Sequence, residues 1–249
     1  MILVEGLKKS FGDRAVLKGI DARFEKGRVN LVIGRSGSGK TVFLKCLVGL
    51  LKPDSGRVLF DGRSFYAGKP DEQQAIRREL GKVFQMGALF DSMTVEENVR
   101  FPLEMFSDLS PKEKRERVAF CLERVNLAHA ASLYPSEISG GMRKRTAIAR
   151  AIVNNPRYLL CDEPNSGLDP ETSALIDRLL LDITHEFDTT TIIVTHDMNS
   201  VYEIGEHVIL LVGGEKAWEG SGRGIFETRN PALEEFVFSS ELMRRLRTA

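Results

Sequence analysis

The eight residues Gly34-Arg35-Ser36-Gly37-Ser38-Gly39-Lys40-Thr41 fit the pattern G-x-x-x-x-G-K-[ST] at every position. An apolar run, Val29-Asn30-Leu31-Val32-Ile33, leads straight into them, and a helix-compatible apolar stretch follows from Val42 to Leu51. Strand, glycine-rich turn and helix in that order make an anion cradle. Glycines let the backbone fold so that several N–H groups converge on one phosphate, and the helix N-terminus adds its partial positive charge. Gly34, Arg35, Ser36, Gly37, Ser38 and Gly39 are therefore expected to wrap phosphates, Lys40 to reach the β- and γ-phosphates, and Thr41 to offer its hydroxyl to Mg²⁺. A glycine- and serine-rich loop that matched by chance would lack the flanking strand and helix.

Composition narrows the setting. A chain of 249 residues suffices for one large domain or two closely packed subdomains. Lys plus Arg equals Asp plus Glu, 35 against 35, so no overall field draws the chain to nucleic acid or to an anionic bilayer, and no nucleic-acid partner is expected. The stretch after the cradle is interrupted by Lys45, and Val208-Ile209-Leu210-Leu211-Val212 is only strand-length. Neither approaches the roughly 18–20 apolar residues of a membrane span. No secretory leader is read at the N-terminus. Cys46, Cys121 and Cys161 are odd in number, widely spaced and set among apolar neighbours, so they are expected as buried thiols rather than a disulfide or zinc set.

Along the chain the hydrophobic period changes twice. The first sixty residues read as short strands, Ile2-Leu3-Val4, Ala15-Val16-Leu17, Ala22-Arg23-Phe24, Val29 to Ile33 and Arg57 to Phe60, separated by turns. From about Met86 to Asn155 the pattern is helical. There Ser110-Pro111-Lys112-Glu113 forms a capping box, with Val118, Leu122 and Val125 on one face of the helix that follows. After Pro156 strands return: Tyr158 to Cys161 and Thr191 to Val194 are continuous apolar runs, as in parallel strands buried on both faces. Between them Asp169 is a candidate N-cap and Pro170 opens a helix with Leu175, Leu179 and Ile183 on one side. The last thirty residues read as a partly helical tail.

Two further motifs carry chemistry. Asp162-Glu163-Pro164 places two carboxylates at the C-terminal end of an apolar strand, where ligands of open α/β sheets gather. Adjacent acids emerging from such a strand are costly without a cation or polarised water. With the cradle upstream, Asp162 is expected to hold Mg²⁺ and Glu163 to orient the attacking water. Ser139-Gly140-Gly141-Met142-Arg143 precedes a helix running towards Asn154-Asn155-Pro156. Bare N–H donors there would suit a second phosphate, although on its own the segment reads equally as an ordinary N-cap. It lies about a hundred residues from the cradle, so both are not expected to grip one nucleotide within one chain.

Taken together, these motifs resemble the nucleotide-binding subunits of ABC transporters over nearly the whole chain. The family's ordered set is present as Phe11 (aromatic loop), Gly34 to Thr41 (Walker A), Gln85 (Q-loop), Ser139 to Met142 (signature), Asp162 and Glu163 (Walker B), Ser166-Gly167-Leu168-Asp169 (D-loop) and His196 (H-loop). The resemblance implies an α/β fold with a P-loop, RecA-like core at about 1–85 and 156–220, an antiparallel β subdomain, an inserted α-helical subdomain at about 86–155, and a tail from about 221. It implies a homodimer in which each ATP, with Mg²⁺, lies between one subunit's Gly34 to Thr41 and its mate's Ser139, Gly140 and Gly141, with Asp169 nearby. Phe11 would stack on adenine, Gln85 would touch Mg²⁺ or the lytic water, and His196 would bond the γ-phosphate. The remaining histidines, His129, His185 and His207, have no such context.

Departures from the family pattern narrow the resemblance. The signature commonly reads Leu-Ser-Gly-Gly-Gln, and here Ile138 and Met142 replace the first and last residues. Met142, the segment Phe84 to Val95 and the basic run Arg143-Lys144-Arg145 resemble the ATPases of Mla-type, MCE-associated phospholipid transport systems. That resemblance implies an ATPase peripheral on the inner face of the cell membrane, with integral permease subunits and an MCE-domain lipid-binding subunit as partners. Ala88, Leu89, Phe90 and Phe101 would line the permease groove or the subdomain core. Two rivals remain open from the residues alone: a soluble ABC ATPase of an assembly or repair system, without a permease, and a monomeric P-loop kinase or GTPase, which would not need Ser139 to Met142.

Overall fold

The computed structural model describes residues 1–237. Its elements run β1 (Ile2–Phe11), β2 (Arg14–Phe24), β3 (Arg28–Ile33), α1 (Lys40–Leu47), β4 (Ser55–Phe60), β5 (Arg63–Ser64), α2 (Pro70–Arg78), β6 (Leu80–Val83), α3 (Val95–Phe106) and α4 (Pro111–Arg124). They continue α5 (Gly140–Ile152), β7 (Tyr158–Asp162), α6 (Pro170–Glu186), β8 (Thr190–Thr195), α7 (Met198–Ile204), β9 (His207–Val212), β10 (Glu215–Gly220) and α8 (Pro231–Val237). An antiparallel sheet has the order β2-β1-β4-β5, and a mainly parallel sheet has the order β10-β9-β3-β8-β7-β6.

Register in the parallel sheet gathers the chemistry at one edge. Ile33 pairs with Thr195, Asp162 with Val194, and Val83 with Cys161. The chain therefore leaves β3, β8, β7 and β6 side by side, and Gly34, His196, Glu163 and Gln85 follow within two residues of those ends. Both faces of β3, β7 and β8 are buried, and successive side chains enter opposite cores, whereas the outermost strand β6 is half-buried on one face. Leu31, Ile33, Leu159, Cys161 and Ile193 pack with the helices α3 to α6, whereas Val32, Leu160, Ile192 and Val194 pack with α1 and the antiparallel sheet. All three cysteines are free and buried. Among the described residues, no helix is long and apolar enough to cross a membrane.

Several expectations need correction. Ala15 to Leu17 and Ala22 to Phe24 are one strand, β2, because pairing with β1 continues across the turn-like residues between them. α1 stops at Leu47 rather than Leu51, since Gly49 takes a left-handed φ of 74° just past the Val48 cap. The first helix of the helical region begins only at Val95, where Thr94 and Glu97 form a capping box. α2 buries only Ile76 and so leaves no apolar period to read. On α6 the buried face is Ile176, Leu180 and Ile183; Leu175 is exposed and, with Leu179, borders a side cavity beside Arg124, Arg145 and Arg178. The capping box at Ser110 forms, with Glu113 N–H donating to Ser110 Oγ and Ser110 N–H to Glu113 Oε2.

Candidate functional site

The loop between β3 and α1 is shaped by close approach. A Cβ on Gly34 (φ 150°) would lie 2.4 Å from the Leu211 carbonyl oxygen, and one on Gly39 (φ 103°) 2.9 Å from Leu17 Cδ2. Gly39 caps α1 without a side-chain bond, and the first turn carries no acid, so its N–H groups stay open to an anion. Lys40 is buried and donates to the carbonyls of Gly34 (2.7 Å) and Arg35 (3.0 Å). Burial lowers the pKa of its ammonium, while Glu163 and Asp162 oppose that shift. Ser38 Oγ is buried with no partner among the described residues. Such an orphan costs about 1–3 kcal/mol until an acceptor arrives, and a phosphate oxygen would supply one.

Thr41 Oγ1 donates to Asp162 Oδ1 at 3.3 Å. Burial pushes the Asp162 carboxyl above its ordinary range, against the Thr41 bond, and the neighbouring Glu163 charge adds to the rise. A cation between these oxygens would relieve that penalty. No cluster of three or more His, Cys, Asp or Glu fit to hold a metal occurs among the described residues. Mg²⁺ commonly takes one or two carboxylates and completes its shell with water and substrate phosphates, so this hydroxyl–carboxylate pair fits it.

Glu163 follows β7 directly, with φ 46°, and its N–H donates to the Val194 carbonyl at 2.9 Å. Gln85 Nε2 donates to Glu163 Oε2 at 2.9 Å, and His196 Nδ1 lies 3.1 Å from Oε1. The ends of β6, β7 and β8 thus converge on one carboxylate. Phe11, Arg14, Val16, Arg35, Ser36, Gly37, Gly39, Lys40, Thr41, Gln85, Glu163 and His196 border a single cleft of about 980 Å³. At 48% exposure the Phe11 ring is no core residue; Lys9 Nζ stands 5.6 Å from its centroid.

The second set stands apart from that cleft. Ser139 is the N-cap of α5 and its Oγ accepts from Met142 N–H at 3.2 Å. Asp169 caps α6 and accepts from Thr172 N–H (2.9 Å) and Oγ1 (2.6 Å). Thr172 also limits Gly141, where a Cβ would lie 2.7 Å from its Cγ2. Ser139, Gly140, Gly141 and Asp169 do not border the cleft. Met142 packs against the helical core.

Three contributions escaped sequence reasoning. Lys144, read as part of a basic run, is 7% exposed, and its ammonium donates to the carbonyls of Gln85 and, at 3.5 Å, Glu163. Arg150 donates to the carbonyls of Ala88 (2.8 Å) and Gly87 (2.6 Å). α5 is therefore bolted to the segment after Gln85. Finally, α8 reaches the cradle: Arg35 pairs with the Glu235 carboxylate at 2.9 Å, and Phe236 borders the cleft. A lysine in a Ser-Gly-Gly helix was the available signal for the first; nothing local marks α8.

A glycine cradle, a hydroxyl–carboxylate pair and a glutamate held between a glutamine and a histidine at the edge of one parallel sheet define a P-loop nucleoside triphosphatase. The family model described as ABC transporter matches residues 17–166. The chain belongs to that family, as an ATP-binding subunit and an ATPase of the ABC class. It is 38% identical over 236 residues to the probable ribonucleotide transport ATP-binding protein mkl of Mycobacterium leprae (strain TN), covering 95% of this chain and 68% of that one. It is also 38% identical over 234 residues to the methionine import ATP-binding protein MetN of Rhizobium johnstonii, covering 94% and 64%. The chain thus spans about two thirds of these relatives' length. Among solved structures, the dimeric post-hydrolysis state of the cassette MJ0796 bound to ADP and Pi superposes with TM-score 0.81 at 35% identity, over 90% of this chain and 100% of that one. The cbiO1 subunit from Clostridium perfringens, part of the ABC transporter complex cbiONQ, gives 0.84 at 30%, over 98% of each.

Proposed function

We propose that two copies of this chain clasp two ATP molecules head to tail, each triphosphate lying between one copy's Gly34 to Thr41 and the other's Ser139 to Gly141. The observation that carries this reading is that one chain bears two anion-ready helix termini, only one of which borders its own cleft. The likeness to a dimeric cassette supports it. Lys40 and the open N–H groups of α1 bind the phosphates, Thr41 and Asp162 hold Mg²⁺ with Gln85 beside them, and Phe11 stacks on the base. Glu163, held between Gln85 and His196, takes the proton of the attacking water, and His196 steadies the γ-phosphate. The core comprises about 1–85 and 156–220, with a helical arm at about 86–155.

ATP makes contacts available only in the closed pair, so it biases an open–closed equilibrium that an attached permease can use. The segment after Gln85 suits that attachment. Met86 is 90% exposed, and Phe84 and Phe90 are exposed beside it, while Arg150 and Asn98 pin the backbone beneath. Leu89 packs into the core instead. The chain would then sit peripherally on the inner face of the cell membrane. The cargo we assign is phospholipid, with an MCE-domain partner, on the strength of Met142 and its surroundings. The relatives' names speak of ribonucleotide and methionine, so isolating the membrane complex and identifying co-purifying lipid decides this point.

The composite site is tested by mixing Ser139→Arg and Lys40→Ala chains. Each alone is inactive, and the mixture regains at most about a quarter of wild-type turnover, because half of the random pairs are mixed and each keeps one intact site. Full activity of Ser139→Arg by itself excludes the shared site.

A further inference from the structure

Behind the cleft lies a buried carboxylate that nucleotide chemistry does not use. Asp177, in the middle of α6, is 4% exposed. Asn165 Nδ2 donates to its Oδ1 at 2.7 Å and Ser200 Oγ to its Oδ2 at 2.8 Å, and Asn165 Nδ2 also reaches Ser200 Oγ at 3.2 Å. Among the described residues the charged groups acting on Asp177 are Asp197 and Glu203 of the α7 region, with no Lys or Arg among them. Burial, with those two acids, pushes its pKa up to about 6. A buried carboxylate without a cation is expensive, and an apolar residue of similar volume at such a position is often neutral or stabilising. Fold stability alone therefore gives no reason for an acid here.

Its partners supply one. Asn165 lies two residues beyond Glu163 and Ser200 four beyond His196. The turn after Glu163 is closed by Ser166 N–H donating to the Glu163 carbonyl (3.1 Å) and Leu168 N–H to the Asn165 carbonyl (3.2 Å), and the start of α7 by Val201 N–H donating to the Asp197 carbonyl (3.2 Å), so Asn165 and Ser200 sit in short, internally bonded segments that begin beside Glu163 and His196. Glu163 holds a left-handed φ of 46°, a conformation that persists only where its surroundings over-determine it.

We infer that Asp177 is a positioning residue for hydrolysis: by anchoring Asn165 and Ser200 to α6, it holds Glu163 and His196 in the mutual register that the reaction needs. The inference rests on the reading of Glu163 as the group that takes the proton of water. Asp177→Leu removes both acceptors while filling the space. It is expected to lower kcat at least about 10-fold, with the KM for ATP within about twofold, since small misplacement of a reacting group costs up to about 100-fold. Asp177→Asn can accept from Asn165 through its oxygen and donate to Ser200 Oγ, and is expected to restore kcat to within about threefold. Asn165→Ala should match the loss in Asp177→Leu, and the double variant should lose nothing more.

Wild-type kcat in Asp177→Leu, a KM that rises in step with the loss, or losses that multiply in the double variant each overturn the inference. Should Asp177→Leu fail to fold, Asn165→Ala set against Asp177→Asn decides alone, and equal kcat in both counts against it. Normal turnover by Glu163→Gln removes the underlying reading instead. An inactive Glu163→Gln beside a fully active Asp177→Leu removes only the positioning role.

Discussion

Replacing Glu163 by Gln changes one oxygen to an NH₂ group and almost nothing else. The side chain keeps its length, and its remaining oxygen can still accept from Gln85 Nε2, which donates at 2.9 Å in the native protein. The new NH₂ faces His196 Nδ1, 3.1 Å from the native Oε1, and can donate to it in the tautomer that leaves this nitrogen free. Stability is thus expected to change by less than about 1 kcal/mol. The cradle and Lys40 are untouched, so ATP binds as before. What disappears is the carboxylate to which we assign the water's proton, an expected loss of about 10²–10⁴ in kcat, or about 2.7–5.4 kcal/mol at 1.36 kcal/mol per tenfold. Single-turnover phosphate release with Mg²⁺ and ATP measures that loss, and gel filtration in the same buffer should show the variant accumulating as a dimer. Turnover within about threefold of wild type would refute the assignment, because among the described residues no other carboxylate makes these contacts with both Gln85 and His196.

Lys40→Ala deletes two hydrogen bonds that brace the loop and the charge that meets the phosphates; calorimetry should show ATP affinity at least about 100-fold weaker, and unchanged affinity would mean the cradle is not the nucleotide site. Phe11→Ala should weaken fluorescent-nucleotide binding by the roughly 1–3 kcal/mol of a base stack, with Phe11→Trp retaining it; equal affinity in all three proteins would remove the stack. Burial raises the Asp177 pKa to about 6, so the native state takes that proton more readily than the unfolded chain. The group's favourable contribution is complete below the unfolded value and is lost as pH rises through about 6. The Tm of Asp177→Asn relative to wild type should therefore be higher at about pH 7.5 than at about pH 5, and a pH-independent difference contradicts the burial argument.

Some of this was readable one residue at a time. The cradle, Asp162-Glu163 at a strand end and the caps at Ser110, Ser139 and Asp169 are local patterns, in which a side chain serves backbone groups three or four positions away. Other features are pairings between distant segments. The polar helix α2 carries no apolar stripe; its start is marked instead by Pro70 and by Glu72, whose carboxylate accepts from Lys69 N–H at 2.8 Å. Leu175 and Leu179 lie at helical spacing with Ile183, yet the sheet covers the neighbouring stripe of Ile176, Leu180 and Ile183.

The sequence by itself determined the order of motifs and hence the family, because binding a triphosphate imposes short-range rules on glycine, lysine, hydroxyl and acid positions. Only the tertiary structure decided which of those groups meet. Parallel register sets Glu163 beside His196 and Gln85, folds Lys144 beneath them, brings Glu235 from the far end of the chain onto Arg35, and gives Asp177 its two partners. Contacts across such separations depend on how strands align and helices pack, and no local spacing along the chain encodes that alignment.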